Sequence, residues 1–211
     1  LKPDTNRMSP CRILSKTLIF AALIAGCTLT KAEAQSIWAT GSAGNWNTAS
    51  SWNPAAVPGV GAATYITNTG TFTVTYDSPM SAASIGSLTF GSSGAPTLNI
   101  TASGFNVTGT LNMSGQNGII NVNSAMTNAT TQVANNSSND GTSALKINTG
   151  AVADLGNVSI GRNNQGTGAG LLVAGGSVIA NSIPIGSRNS YASMVINSSG
   201  TALTNAARPL M

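Results

Sequence analysis

The stretch ALKINTGAV at residues 144–152 and the stretch GLLVAGGSV at residues 170–178 are two copies of one pattern. Ile147 in the first copy matches Val173 in the second at an offset of 26, and the final valines of the two copies also match. In both copies apolar residues alternate with small or polar ones, which is the side-chain period of a strand with one buried face. The two stretches therefore predict strands that stack in register.

The repeat continues on both sides of these copies. Residues IGRN at 160–163 return as IGSRN at 185–189, with an offset of 25 for the isoleucine, and Ile196 matches Val173 at an offset of 23. Repeats of roughly 20 to 50 residues are typical of stacked arrays, because one unit alone cannot bury its apolar face. We therefore predict an all-β chain folded as a single-stranded β-helix, or β-solenoid, with about 25 residues per coil.

A second pattern is the triplet apolar–Asn–apolar, which occurs as LNI, FNV, LNM and INV between residues 98 and 122. Because strand side chains alternate between faces, each triplet buries two apolar residues and points its asparagine outward. Neutral Asn, Thr and Ser side chains at equivalent outward positions can form hydrogen-bond ladders between coils, whereas repeated like charges would repel. The intervening glycines, at positions 94, 104, 109, 115 and 118, predict turns.

Charge is scarce and unevenly placed. Charged residues make up 7% of the chain, against about 25% in ordinary soluble domains. Much of the formal net charge of +4 comes from the segment at positions 1–34, so the remainder offers no basic surface for nucleic acid or for anionic lipid.

The N-terminal segment predicts export. Basic residues precede an uncharged segment at 17–30, which is too short to span a bilayer, and Ala32-Glu33-Ala34 offers small residues at a cleavage site. We expect residues 1–34 to be a leader, or signal peptide, cleaved after Ala34. The alternative is the lipoprotein-like sequence IAGC, in which Cys27 would be acylated and become the new N-terminus.

Residues 35–76 contain all three tryptophans, Trp38, Trp46 and Trp52. We interpret this segment as an N-terminal cap and first coil, because an open solenoid end needs bulky residues to seal it. Stacking against carbohydrate is the alternative role for the three indoles. Residues 77–211 are predicted to be β-helix repeats, and since no matching cap follows Gly200 we expect the chain to be truncated at its C-terminus.

The residues that catalysis requires are few. The chain has no His, which excludes a Ser-His-Asp triad, and beyond the leader it has only Asp77, Asp140 and Asp154 as acids. Their spacing along coils of this length does not place any two as a pair of glycosidase carboxyls. We therefore expect no enzyme activity, no metal and no cofactor.

Arg162 and Arg188 are related by an offset of 26, which places them in neighbouring coils on one side. Together they could bind sulfate, phosphate or uronate groups. The alternative is that both are solvated corner residues of a copied unit.

Several short motifs resemble a known family. They are Trp38-x-x-Gly41, Gly44-Asn45-Trp46-Asn47, Ser51-Trp52, Val57-Pro58-Gly59, Tyr65-Ile66-Thr67 and the repeated IG(S)RN. Together they resemble large exported bacterial β-helix proteins with autotransporter-associated strand repeats. Members of that family end in a sorting tail of the Val-Pro-Glu-Pro type (PEP-CTERM) or in an outer-membrane barrel, and neither ending occurs in this sequence.

The resemblance implies an adhesin-like passenger that is extracellular or on the outer surface of a Gram-negative-type bacterium. It supplies no catalytic residues to carry over. We therefore hypothesise an exported structural or adhesive surface β-solenoid without catalytic activity. The alternative is a polysaccharide-binding or polysaccharide-degrading β-helix. The expected partners are extracellular polysaccharide or another cell surface, with membrane attachment only through a lipidated Cys27 or a missing C-terminal region.

Overall fold

The computed structural model of the chain is an all-β solenoid of parallel stacked coils. It describes residues 34–79, 84–113, 117–133, 143–161, 167–185, 191–196 and 201–204. The chain divides into two compact units, Leu1–Ala32 and Glu33–Met211, and all described residues belong to the second. The predicted leader lies outside the described residues, except for its last position, Ala34.

Eighteen strands occur in the described residues, and the only helical element there is a single 3-10 turn at Ala49–Ser51. In chain order the strands are β1 (Gln35–Trp38), β2 (Gly44–Asn45), β3 (Trp52–Asn53), β4 (Ala63–Ile66), β5 (Thr73–Tyr76), β6 (Ser84–Ile85), β7 (Ser87–Phe90), β8 (Thr97–Ile100), β9 (Phe105–Met113), β10 (Gly118–Val122), β11 (Met126–Val133), β12 (Ser143–Asn148), β13 (Val152–Asp154), β14 (Asn157–Ile160), β15 (Thr167–Ala174), β16 (Ser177–Ala180), β17 (Tyr191–Ile196) and β18 (Thr201–Thr204).

The strands form two sheets, and the chain alternates between them. The first sheet has eleven strands in the order β18-β16-β13-β11-β9-β7-β4-β1-β3, with β14 beside β11 and β6 beside β9. The second sheet has seven, in the order β17-β15-β12-β10-β8-β5-β2. All the pairings between named strands are parallel except that of β3, which runs antiparallel to β1. Each pass through both sheets is therefore one coil, and each coil pairs with the next.

The register of the second sheet confirms the repeats found in the sequence. Ile147 of β12 pairs with Val173 of β15, and Val173 pairs with Ile196 of β17. Ile160 is bridged to Ile185 in parallel, again as the repeats predict. The coils average about 24 residues, close to the expected 25. Sequence similarity between copies thus reflects physical stacking, since equivalent residues in neighbouring coils meet the same environment.

One part of the predicted register is wrong by a single position. The matched valines at the ends of the two copies do not pair, because Val152 pairs with Ser177 and Ala153 pairs with Val178. Ala153 and Val178 are both fully buried, whereas Val152 is 45% exposed. The strand period places alternate residues inside, so a slip of one position at the intervening corner exchanges the buried and exposed sides.

The core is a continuous column of apolar side chains between the two sheets. All the apolar residues of the four Asn triplets are buried and each central asparagine is half-buried, as predicted. The largest fully buried residues include the three tryptophans, Tyr76, Phe90 and Leu98. Because coil stacking supplies both hydrogen bonds and apolar contacts, the described coils need no disulfide to cover their core.

Glycine plays two different roles in these coils. Gly104 has a positive φ of 83° and makes a turn, as predicted. Gly109 and Gly118 are predicted as turns, but Gly109 lies in the middle of β9 and Gly118 is the first residue of β10. At Gly109 the strand passes so close to the preceding coil that a side chain would collide with the backbone there. In the described stretches 105–113 and 117–122, these two glycines are therefore strand residues, and Gly115 lies outside the described residues.

Candidate binding surface

Asparagine side chains on the outward face of the second sheet form hydrogen bonds between coils, and we call this set the ladder; the cationic residue Lys146 pairs in register with Asn121 on the same face. The Nδ2 of Asn121 donates to the Oδ1 of Asn99 in the preceding coil at 2.8 Å, and the Nδ2 of Asn148 donates to the Oδ1 of Asn123 at 2.8 Å. On the first sheet a similar bond between coils links the Nδ2 of Asn106 to the hydroxyl of Ser84, at 3.1 Å. Each bond joins positions separated by 22 to 25 in the chain, which is one coil. These side chains hold neighbouring coils together, as the sequence predicts.

The two acids in the described residues lie apart from each other in the fold. Asp77 follows β5, is exposed, and accepts a hydrogen bond from the Nδ2 of Asn45 at 2.7 Å. Asp154 ends β13, is half-buried, and accepts a hydrogen bond from the backbone N–H of Gly156 at 3.3 Å. The third acid, Asp140, lies outside the described residues. In the part of the chain that the structure describes, no cluster of three His, Cys, Asp or Glu residues is placed to hold a metal ion.

A shallow groove of about 360 Å³ crosses the outward face of the first sheet. We call it the groove, and it is lined by Thr130, Gln132, Asn157, Val158, Ser159, Ser182 and Pro184. Three neighbouring coils contribute to it, since Thr130 of β11 pairs with Asn157 of β14, and Asn157 is bridged to Ser182. The described lining residues are all uncharged, and they present hydroxyl and amide groups.

The backbone of β14 forms the base of the groove. Val158 is only 2% exposed and its side chain belongs to the core, but its N–H donates to the carbonyl of Ser182 at 2.9 Å. The carbonyl of Pro184 accepts the N–H of Ile160 at 3.1 Å, and Pro184 itself is exposed. In the third coil, the segment 182–185 lies parallel to β14 and is joined to it by these bonds, although it is not one of the named strands. Pro184 therefore gives one side of the groove an apolar surface.

The three tryptophans lie in the core of the first coils. Trp38, Trp46 and Trp52 are 0%, 0% and 2% exposed. Trp52 packs edge-to-face against both others, with ring centroids 4.9 Å from Trp38 and 4.8 Å from Trp46, and its Nε1 donates to the carbonyl of Trp46 at 2.7 Å. Sugar stacking requires an open ring face. The described fold therefore gives these indoles a packing role.

Three other predicted site residues cannot be placed in this fold. Arg162 and Arg188, the hypothetical anion-binding pair, lie outside the described residues, as does Cys27, the hypothetical lipidation site. The anion and lipidation hypotheses therefore stay predictions.

The groove was not predicted from the sequence. Its residues belong to the abundant Thr, Asn, Ser and Gln of the chain, and nothing in their local pattern separates them from ladder residues. One signal could have indicated the groove, namely an unusually long coil. Thr130 pairs with Asn157 at an offset of 27, which is longer than the offsets found in the sequence repeats. Only the three-dimensional register brings the three coils together.

Among the described residues, no helix is long and apolar enough to cross a membrane. Comparison with known proteins finds no protein family, no curated protein and no solved structure that matches the chain.

Proposed function

We propose that the chain is an exported, non-catalytic surface solenoid that serves as a stalk, an adhesive passenger or a matrix component. The ladder on the second sheet carries this proposal. Asn121 and Asn148 direct their amides to equivalent residues of the preceding coil, so the outward side chains reinforce the stack. A stack whose outward side chains connect its coils suits a stalk or adhesive spacer, and neutral side chains such as asparagine avoid the repulsion that repeated like charges would cause between coils.

The basic and apolar pattern of residues 1–34 supports export, and it predicts the location that the proposal requires. The full chain is expressed with its own leader in a Gram-negative host, and its location is followed by protease treatment of intact cells. We expect the chain outside the cytoplasm. The mass of the mature N-terminus distinguishes cleavage before Gln35 from acylation of Cys27. A chain that stays in the cytoplasm with an uncleaved N-terminus would contradict the proposal.

A matched pair of variants separates the two routes of export. Replacing Ala32 and Ala34 by leucine blocks the small-residue cleavage site, whereas Cys27→Ser removes the acylation site. If cleavage precedes Gln35, only the variant with leucine at positions 32 and 34 accumulates as precursor. If Cys27 is acylated, only the serine variant does.

Adhesion and catalysis are measured on the purified mature chain. Beads coated with the chain should bind cells or extracellular polysaccharide more than beads coated with albumin do. Incubation with polysaccharides should release no reducing ends. Turnover that is lost in Asp77→Asn, Asp140→Asn or Asp154→Asn would contradict the non-catalytic proposal and would favour a polysaccharide-degrading β-helix.

Polysaccharide binding is a second candidate, and one observation favours it. The groove combines hydroxyl and amide side chains with the exposed residue Pro184, and none of its described lining residues is charged. Sugars have hydroxyl edges and apolar ring faces, so a site of this mixed character suits them. Binding of this kind is compatible with a surface solenoid, because it would supply the adhesive contact.

A further inference from the structure

We propose that the groove on the first sheet binds an uncharged glycan segment through Thr130, Asn157, Ser159 and Ser182. This proposal rests on the surface role above for the source of its ligand, but binding itself is a property of the purified chain. The groove is a candidate ligand site, whereas the side chains of the ladder connect neighbouring coils.

The first argument is the contrast between two sets of polar side chains. The amides of Asn121 and Asn148 on the ladder, and that of Asn106 on the first sheet, donate to side chains of the preceding coil. In the groove, the side chains of Thr130, Asn157, Ser159 and Ser182 make no hydrogen bond to any group of the described chain. Their donors and acceptors are therefore available to a ligand without breaking a contact between coils.

The second argument is the size and arrangement of the groove. Its volume of about 360 Å³ lies at the lower end of the range for small-molecule sites, about 300–1,000 Å³. The three coils repeat at about 4.8 Å, so hydroxyl and amide groups recur along the groove at a spacing comparable to one sugar residue of an extended glycan.

The third argument is charge. Because the described lining residues are neutral, they offer no charge-assisted bond to a sulfate, phosphate or carboxylate group. We therefore expect the ligand to be uncharged and to be held by neutral hydrogen bonds and by contact with Pro184. Its affinity should therefore be insensitive to salt.

The site is tested by titrating the purified chain with a panel of uncharged oligosaccharides, namely cello-, malto-, manno-, xylo- and N-acetylated chito-hexaoses, with binding followed by calorimetry. The test variant is Thr130→Ala/Asn157→Ala, which removes side chains from register partners in adjacent coils. The matched control is Thr73→Ala/Thr97→Ala, also register partners in adjacent coils but on the outward face of the second sheet. Circular dichroism and melting temperature confirm that both variants keep the fold.

We expect at least one oligosaccharide to bind the wild-type chain, and its affinity to fall by roughly tenfold or more in the test variant and not in the control. The affinity should stay the same between about 50 mM and about 500 mM NaCl. Three outcomes would overturn the proposal: no binding to any member of the panel, equal affinity in the folded test variant, or equal loss in the control. Because location is measured separately, failed binding leaves the exported role standing, and failed export leaves a binding result standing.

Discussion

The backbone N–H of Gly109 donates to the carbonyl oxygen of Gly86 in the preceding coil at 2.8 Å, and a Cβ atom at position 109 would lie 2.6 Å from that same oxygen. The close approach repeats one coil earlier, since a Cβ at Gly86 would lie 2.5 Å from the carbonyl oxygen of Gly61, although the N–H of Gly86 donates to the carbonyl of Ala62. Gly86 separates β6 from β7, and Gly109 lies in the middle of β9. These glycines therefore form a column where successive coils approach each other too closely for side chains.

Gly109→Ala should destabilise the solenoid. The neighbouring atom is backbone and is fixed by its hydrogen bond, so the new methyl group can be accommodated only by separating the two coils. We expect a loss of about 1–3 kcal/mol in the free energy of unfolding, the usual cost of overpacking. Urea denaturation followed by circular dichroism measures it.

Gly59→Ala is the control for this substitution. A Cβ at position 59 meets no atom within 4 Å, and the residue is exposed, so its stability should change by less than about 0.5 kcal/mol. Equal stability of the position-109 variant and wild type would show that the coils can separate here without cost, contrary to the close approach described above.

Asn128 is a buried polar residue in a column that is otherwise apolar. It is 2% exposed and pairs in register with Val107, which is fully buried. Its Nδ2 donates to the hydroxyl of Thr131 at 3.2 Å, and that hydroxyl donates to the carbonyl of Leu155 at 3.0 Å. The Oδ1 of Asn128 has no hydrogen-bond partner among the described residues. The position therefore carries a desolvated acceptor where the neighbouring coil carries a methyl group.

Asn128→Val should stabilise the chain by about 1 kcal/mol, because it removes an unsatisfied acceptor and leaves the bond from Thr131 to Leu155 intact. Thermal unfolding would show a higher melting temperature. The contrasting variant is Thr131→Val, which should destabilise because it leaves the carbonyl of Leu155 without its donor. If both variants lower the melting temperature, the amide of Asn128 contributes more than its burial costs.

The register could be predicted where copies of the repeat keep equal length. Ile147 and Val173 occupy equivalent places in strands of one sheet, so their chemical similarity reports their pairing. At the corner after each strand, the prediction matched Val152 with Val178, but the structure pairs Ala153 with Val178. Alternation along the chain is the same for either register, so composition cannot detect a slip of one position.

The close approach at Gly109 and the groove could not be predicted from the sequence, for a related reason. A glycine needed for a turn and a glycine needed for contact with the next coil have the same side chain. Only the position relative to Gly86 distinguishes them. Likewise Asn157 and Asn121 are both outward asparagines, but the first faces the groove and the second donates to Asn99. Both distinctions depend on contacts between residues far apart in the chain.

The ladder predicts an effect of pH on a variant that carries charge. In Asn99→Asp/Asn121→Asp, two carboxyl groups replace the two amides that form a hydrogen bond of 2.8 Å in the wild-type chain. Repulsion raises the pKa of the pair in the folded state above the unfolded value of about 3.9. Relative to wild type, the variant is therefore most stable below that value and loses stability as pH rises through the raised pKa. We expect a loss of about 1 kcal/mol by pH 7, since Lys146 pairs in register with Asn121 and offsets part of the repulsion.

Asn99→Asp alone should behave in the opposite way. Asn121 still donates its Nδ2, now to a carboxylate, and this bond lowers the pKa of the new carboxyl in the folded state. This variant is then more stable relative to wild type above the unfolded pKa of the new carboxyl, and it loses that added stability as the pH falls through the lowered folded-state pKa. Urea midpoints of both variants and of wild type between about pH 3 and pH 7 measure the two slopes. Parallel slopes would mean that the two side chains do not interact.

The tryptophan cluster predicts where the first coils are most sensitive to truncation. Trp46 packs edge-to-face against Trp52 and Phe105, at centroid distances of 4.8 Å and 5.3 Å, so it connects the first coil with a strand much later in the chain. Trp46→Ala should cost about 3–5 kcal/mol, because the cavity lies in a core with little freedom to collapse. Val60→Ala is the control, since Val60 is 62% exposed and should contribute little. Urea denaturation followed by circular dichroism compares the two variants with wild type. A position-46 variant as stable as the control would mean that the aromatic contacts do not hold the first coils in place.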